Sequence, residues 1–469
     1  MAICGPFRAI VRIAAMALAF AGATSGHAAD TIEGSLVKAY QNNPQLNAQR
    51  ASVRATDESV PQALSGYRPR VSLNASVAEQ YLDSLSVTPT ATGSSNLALA
   101  GFNTTRSFGG TLNQTFFNGF QTANRTRSAE SNVSSAREGL RVLEQTVLLA
   151  AATIYMDYLR DSAIVEVQRS NVRVLEQTLK QTQDRFNVGE VTRTDVAQSQ
   201  AQLAAGQTQQ TTAESNLVTT RANFRRIIGS EPAAPAPGSP VDRFLPSTLP
   251  TAVETGLLEN PNVTAAMFGI DVAFLNVKVN EGALFPTLQG VLSISQAYDT
   301  TLTLRRSLTG SVGAQLTVPV YQGGSEYALI RQSKETLAQQ RLNLDQVRDQ
   351  TRATVVQAWG QLQAAKAQVA SAQSQVSASE TALNGVREEA RVGQRTTLDV
   401  LNAQQALVNA RVAMVTAQHD RVVASYSVLA AIGRLSPAVL GLATVIYDPS
   451  VHYHQVRDAW GGVRIPDGH

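Results

Sequence analysis

Phe186-Asn187-Val188-Gly189-Glu190-Val191-Thr192-Arg193-Thr194-Asp195-Val196 is the stretch on which the fold turns. It recurs as Ala390-Arg391-Val392-Gly393-Gln394-Arg395-Thr396-Thr397-Leu398-Asp399-Val400. Glycine to glycine and aspartate to aspartate, the copies lie 204 residues apart. Each follows a long helical pattern and opens another. Gly189 and Gly393 suit the left-handed residue that ends a helix, and Thr-x-x-Asp suits the first turn of the next. The chain therefore reads as two copies of one plan.

Upstream of the first copy, helical periodicity runs from Gly119 to Gly189. Leu140, Val147 and Ile154 are spaced by seven, as are Val165, Val172, Leu179 and Phe186 after a step of eleven. Sevens mark a left-handed coiled-coil seam, and the inserted four is a stutter. Such a helix of about 67 residues is roughly 100 Å long, which no compact domain needs.

Before it, residues from about 31 to 66 read as a helix interrupted at Asn43-Pro44. From Val71 the period switches to two: Val71, Leu73, Ala75, Val77 and Tyr81 alternate with polar or small residues. That is a strand with one apolar face. A Pro/Thr/Gly/Ser segment at about 88–101 reads as a loop. A second run follows, with Phe108, Leu112 and Phe116 on one face. The second copy repeats the order: Asn260-Pro261 and Pro286 lie 217 residues after Asn43-Pro44 and Pro69, while Tyr321-Gln322-Gly323 lies 204 after Phe117-Asn118-Gly119. The 13-residue difference falls between the paired strands, so the first hairpin is expected to carry the longer loop. Val369, Val376 and Leu383 repeat the helical seam.

The expected boundaries are a secretory signal over 1–29, a first repeat over 30–229, a Pro-rich linker over 230–250, a second repeat over 251–433 and a periplasmic tail over 434–469. Arg8 and Arg12 precede an apolar run ending in Ala28-Ala29, the pattern of a cleaved export signal. Removing it lowers the formal charge from +3 to +1, so the basic pI says little about partners, and no Lys/Arg cluster points to nucleic acid. The only cysteine, Cys4, lies inside this segment. Aromatics are sparse, at 6% of residues, which favours long helices with thin seams over thick globular cores.

Four amphipathic strands cannot close around a pore, and open strand edges are not tolerated in lipid. Several copies must then share one barrel. In its two-copy order of helix, strand, strand, helix, helix and in its doubled Val-Gly turns, the chain resembles the TolC family of outer-membrane channels over about residues 31–433. The resemblance implies a mainly α fold with a β-barrel part. Three chains build a twelve-stranded outer-membrane barrel continuous with a periplasmic helical tunnel. It also implies an exit duct for drug efflux or type I protein secretion, a periplasmic adaptor, and an inner-membrane efflux or ABC transporter, with no enzymatic activity and no cofactor.

For the site, the resemblance implies that the helix tips constrict the tunnel. A latch between Asp195, with Thr194 beside it, and Arg395 holds it shut, and a cation-binding acidic ring at Asp399 extends toward position 402. Where the family often has a tyrosine in the latch and a second acid in the ring, this chain has Ala390 and Asn402. The residues themselves allow a simpler reading, since Thr192-x-x-Asp195 and Thr396-x-x-Asp399 both fit helix caps. His452-x-His454 is expected to be solvated rather than metal-bound, Trp359 to be packing, and Glu79 and Asp83 to lie at the outer rim. A periplasmic coiled-coil adaptor without its own channel is the competing reading, but it gives no reason for two amphipathic hairpins. An exported hydrolase lacks a nucleophile–base cluster, with His419 the only histidine between residues 30 and 451.

Overall fold

The computed structural model describes residues 31–233 and 235–466; the expected signal segment and Cys4 lie outside the described residues. The first region is not one helix but three: α1 (Ile32–Asn42), α2 (Pro44–Asp57) and α3 (Ser59–Leu64). Asn43 ends α1 in an extended conformation and caps α2 through its side-chain oxygen, with Pro44 at the first helical position. A proline fits there because that N–H has no intrahelical partner. Asn260 repeats this device between α6 (Leu249–Glu259) and α7 (Pro261–Gly282).

Strands β1 (Arg70–Thr90) and β2 (Gly93–Asn118) lead into α4 (Gln121–Asn187) and α5 (Arg193–Ile228). After α6 and α7, β3 (Thr287–Tyr298) and β4 (Arg306–Thr317) lead into α8 (Ser325–Arg391) and α9 (Thr397–Ala431). Both α4 and α8 are 67 residues long. The short α10 (Pro437–Leu440) and α11 (Ser450–Val456) follow.

The strands form one antiparallel sheet in the order β1-β2-β3-β4, so β2 and β3 join the two halves and β1 and β4 are edges. Register puts Val71, Leu112, Leu292 and Val312 in one row, with Leu73, Gly110, Ile294 and Gly310 in the next. The opposite face carries hydroxyls: Ser72 bonds Thr111 at 2.6 Å, Ser76 bonds Ser107 at 2.7 Å and Ser293 bonds Ser311 at 2.7 Å. The lower part of the sheet is thus mainly apolar on one side and polar on the other, while Glu79, Asp83 and Arg106 interrupt the apolar face farther up the ribbon. A bulge interrupts the β2–β3 ladder between Thr115 and Phe117. There Gly290 makes room for Phe116, because a Cβ at 290 would fall 2.6 Å from the phenyl ring.

The 88–101 segment is corrected by the structure. β1 continues to Thr90, β2 begins at Gly93, and only Ala91-Thr92 turn between them. The extra residues lengthen the first hairpin into a ribbon that runs past β3 instead of forming a loop. Pairing overrides the composition, and Pro89 is accommodated because β1 is an outer strand with an unused edge. Asp299, with φ +51°, turns the second hairpin, and its carbonyl accepts from Thr105 and Asn103 of the ribbon.

The core is a belt where the helices of both halves meet. Leu36 and Tyr40 of α1, Leu148 and Tyr155 of α4, Phe224 and Ile228 of α5, Leu362 of α8 and Leu429 of α9 are all buried in it. The stretch read as a linker belongs to the belt as well: Tyr155 donates to the Ala236 carbonyl at 2.6 Å, and the Val241 N–H bonds Ser425 Oγ at 3.1 Å. The first seam is buried from Leu140 to Val172, half-buried at Leu179 and exposed at Phe186. In the second half Leu383 is buried as expected, but the main seam lies elsewhere. Ile330, Leu337, Leu344, Thr351, Ala358, Ala365 and Ala372 are buried at a strict spacing of seven, while Val369 and Val376 are only half-buried.

Candidate functional site at the helix tips

Each hairpin tip is built by two interlocking devices. At the first, Gly189 takes φ +84°, its N–H bonds the Phe186 carbonyl, and the Glu190 N–H bonds the Arg185 carbonyl at 2.9 Å. At the second, Gly393 takes φ +82°, with Gln394 donating to Glu389 at 2.9 Å. This 6→1 closure needs a left-handed residue, and nothing crowds either glycine, so φ alone requires them.

The next helices start in full capping boxes. Asp195 Oδ2 accepts from the Thr192 N–H at 2.9 Å and its hydroxyl at 2.7 Å, while Thr192 Oγ1 accepts from the Asp195 N–H. Asp399 makes the same set with Thr396. The Thr192 hydroxyl and then its N–H hold the Asp195 carboxyl below the usual carboxylate range; for Asp399 the Thr396 N–H leads and the hydroxyl follows. Both are therefore fixed anions. Among the described residues, all these cap bonds use Oδ2, so the second oxygen of each carboxylate takes no part in the cap.

Arg395 does not meet Asp195 within one chain: its Nε donates to Glu389 at 2.8 Å. The first tip carries the pair with its signs exchanged, Arg185 on the helix and Glu190 in the turn, at 3.0 Å. Sequence reading missed Glu389, although its spacing of six from Arg395 across a glycine turn was a usable signal. Thr194 and Asn402 are exposed, with Asn402 one turn beyond Asp399, and Ala390 is half-buried.

Behind the tips, two amide bonds cross-link the hairpins, and an arginine within the second hairpin supports one of them. Gln202 donates to Gln405 at 3.2 Å, Gln404 to Asn171 at 3.4 Å, and Arg387 to Gln404 at 3.0 Å. Nearer the belt, His419 of α9 lies between two carboxylates. Its Nδ1 is 2.8 Å from Asp420, and its Nε2 is 2.9 Å from Asp157 of α4, off the line of a good hydrogen bond. Burial works against a charged ring, but the two carboxylates outweigh it and raise the His419 pKa.

The sequence profile described as "Outer membrane efflux protein" matches residues 36–230 and 252–434. The chain belongs to the outer membrane efflux protein family. It is 40% identical to the outer membrane efflux protein BepC of Brucella suis over 98% of this chain and 99% of that one. It is 27% identical to the alkaline protease secretion protein AprF of Pseudomonas aeruginosa over 66% of each chain. With TolC of Vibrio cholerae it shares 26% identity over 85% of this chain and 90% of that one. The fold matches the Campylobacter jejuni CmeC outer membrane channel with a TM-score of 0.74 at 16% identity, covering 91% and 89% of the two chains. The VceC outer membrane protein of Vibrio cholerae matches with a TM-score of 0.70 at 17% identity, covering 86% and 96%. The family places the chain in the Gram-negative outer membrane, extending into the periplasm, as a transport protein of the efflux and type I secretion class. It is a channel family, not an enzyme family.

Proposed function

We propose that three copies close a twelve-stranded barrel and a shared helical tunnel, which serves as the outer-membrane exit duct for drug efflux or type I secretion. The observation that carries this is the sheet itself. It has four strands, two open edges and one apolar face, and lipid tolerates no unpaired edge, so β1 of one copy must pair with β4 of another. The plan is a repeat of 30–229 and 251–433, supported by the recurring turns and by a family profile that matches in two segments. The relatives named for efflux and for protease secretion point to a periplasmic adaptor and an inner-membrane efflux or ABC transporter as partners. The mass of the detergent-solubilised particle and its single-channel conductance test the duct. A monodisperse, non-conducting monomer would overturn it.

The tips are the gate of this duct. Because Asp195 and Arg395 are each engaged inside their own hairpin, the latch is a contact between neighbouring copies, made as Arg395 exchanges Glu389 for an acid across the subunit boundary. An exposed ion pair is weak alone, but symmetry repeats it at one constriction. Arg395→Ser should raise conductance, whereas Asp399→Ala should leave conductance unchanged and weaken block by multivalent cations from the periplasmic side. If conductance and block stay as in the parent in both variants, Asp399 is a cap alone and Arg395 only a partner of Glu389.

A further inference from the structure

The expectation of a solvated His452 is corrected by a contact that shows what residues 434–466 do. His452 is buried, with Nδ1 3.1 Å from Oδ2 of the fully buried Asp57 on α2, and Arg137 of α4 lies 3.7 Å from the same carboxylate. The rest of the segment is fastened to α1, α2, α4 and the residues just before β1. Gln41 donates to Thr444 at 3.0 Å, and the Tyr447 N–H bonds Tyr40 at 3.1 Å. The Arg50 guanidinium stacks over Tyr447, and Arg457 reaches Glu130 at 3.3 Å. Arg68 then donates to the Ala459 carbonyl at 2.5 Å and stacks on Trp460, 4.9 Å from the ring centroid. The segment is a strap that climbs from the belt to the foot of the sheet.

Trp460 is delivered to a particular level. Arg68 stands two residues before β1, whose apolar face begins at Val71. At the same foot, Tyr67, Phe120, Phe285 and Tyr321 are exposed, each within four residues of a strand end. Exposed aromatics where an apolar sheet face begins mark a membrane–water boundary, since their rings suit the headgroup level. Trp460 is 74% exposed, and Val463 and Ile465 beyond it are exposed too, with Arg464 between them.

We propose that residues 459–465 are an interfacial anchor, seating Trp460, Val463 and Ile465 in the phospholipid leaflet that faces the periplasm. The occupant is lipid because the anchor stands level with the lower rim of the sheet's apolar face, and because Arg70 and Arg464 supply cations for headgroup phosphates. The docked strap ties the belt to the membrane, independently of the strands.

The chain has two tryptophans, Trp359 and Trp460, so a Trp359→Phe protein reports on Trp460 alone. The full chain is reconstituted in nanodiscs of phosphatidylethanolamine and phosphatidylglycerol, with phospholipids brominated at defined acyl depths. Trp460 emission is expected to shift to the blue relative to free tryptophan and to be lost most strongly to bromines nearest the headgroups. Quenching by aqueous acrylamide without quenching by bromolipid would overturn the anchor, as would strongest quenching by bromines at the acyl ends. Resistance to both quenchers would also overturn it, by showing that a neighbouring copy covers the ring. The difference spectrum between the parent and Trp460→Phe gives the same reading with Trp359 intact.

Discussion

α4 and α8 have the same length and end in the same turn, yet α4 runs through the middle of the chain's packing and α8 along its edge. α4 packs against α1–α3, α5, α7 and α9, whereas α8 meets chiefly α6, α7 and α9. Accordingly Leu148 and Tyr155 on α4 are fully buried, while Leu342 is 70% exposed and Val356, two heptads on, is 45% exposed. A helix of that length with one buried stripe does not stand alone in water, since most helical stability in proteins comes from packing an apolar face. The first long helix therefore holds the chain together, and the second leaves an apolar side that the proposed trimer would cover.

The largest expected effect breaks the first half of this comparison. Leu148→Ala removes a fully buried side chain from the belt and should cost about 2–5 kcal/mol. Chemical denaturation followed by helix signal should show an early loss of the whole fold. Leu342→Asp should leave the chain's helix content unchanged and abolish assembly, read as particle mass in detergent. An intact trimer with Leu342→Asp would mean that α8 presents no such face.

Much of this was readable in advance, and the failures have identifiable causes. The paired turns were legible because a left-handed glycine and a Thr-x-x-Asp cap are local devices that need no partner. The sheet's faces were legible because period two survives any register. The ribbon at 88–101 was not, since Pro, Thr, Gly and Ser favour loops until a long antiparallel partner fixes them. His452 was misread because its partner, Asp57, lies 395 residues away in sequence. Val369 and Val376 were misplaced in the second seam, though Leu383 was not, because identical spacing in α4 and α8 conceals different neighbours. Register within a copy carries over by repetition; the identity of the packed face does not.

A second effect concerns the link between the two halves of the chain. His419 bridges α9 to Asp157 on α4, and its folded pKa is raised. Its contribution is thus fully present below the unfolded value of about 6.5, and it is lost as pH rises through the folded pKa. Asp157 runs the other way. Burial raises its pKa, but His419 and Arg160 outweigh that and leave it lowered, so its contribution fades only as pH falls through a value below the usual carboxylate range. The thermal midpoint should decline from mildly acidic to mildly alkaline pH in the parent and lose that slope in His419→Gln. An unchanged slope in the variant would assign it to other groups.

The smallest effect concerns the tips, where the comparison should vanish. Thr192→Ala and Thr396→Ala each remove one cap acceptor with matching geometry, so each should cost about 1 kcal/mol, and to the same extent. The tips lie outside the belt core, so the loss should stay local, as faster amide hydrogen exchange in the first turns of α5 and α9 with no shift of the global midpoint. The Asp399 carboxylate keeps its bond from the residue 396 N–H in Thr396→Ala, and its Oδ1 is untouched. Cation block should therefore survive that substitution and fail in Asp399→Ala. Block lost equally in both would show that the ring depends on the cap's geometry, and that the carboxylate alone does not suffice.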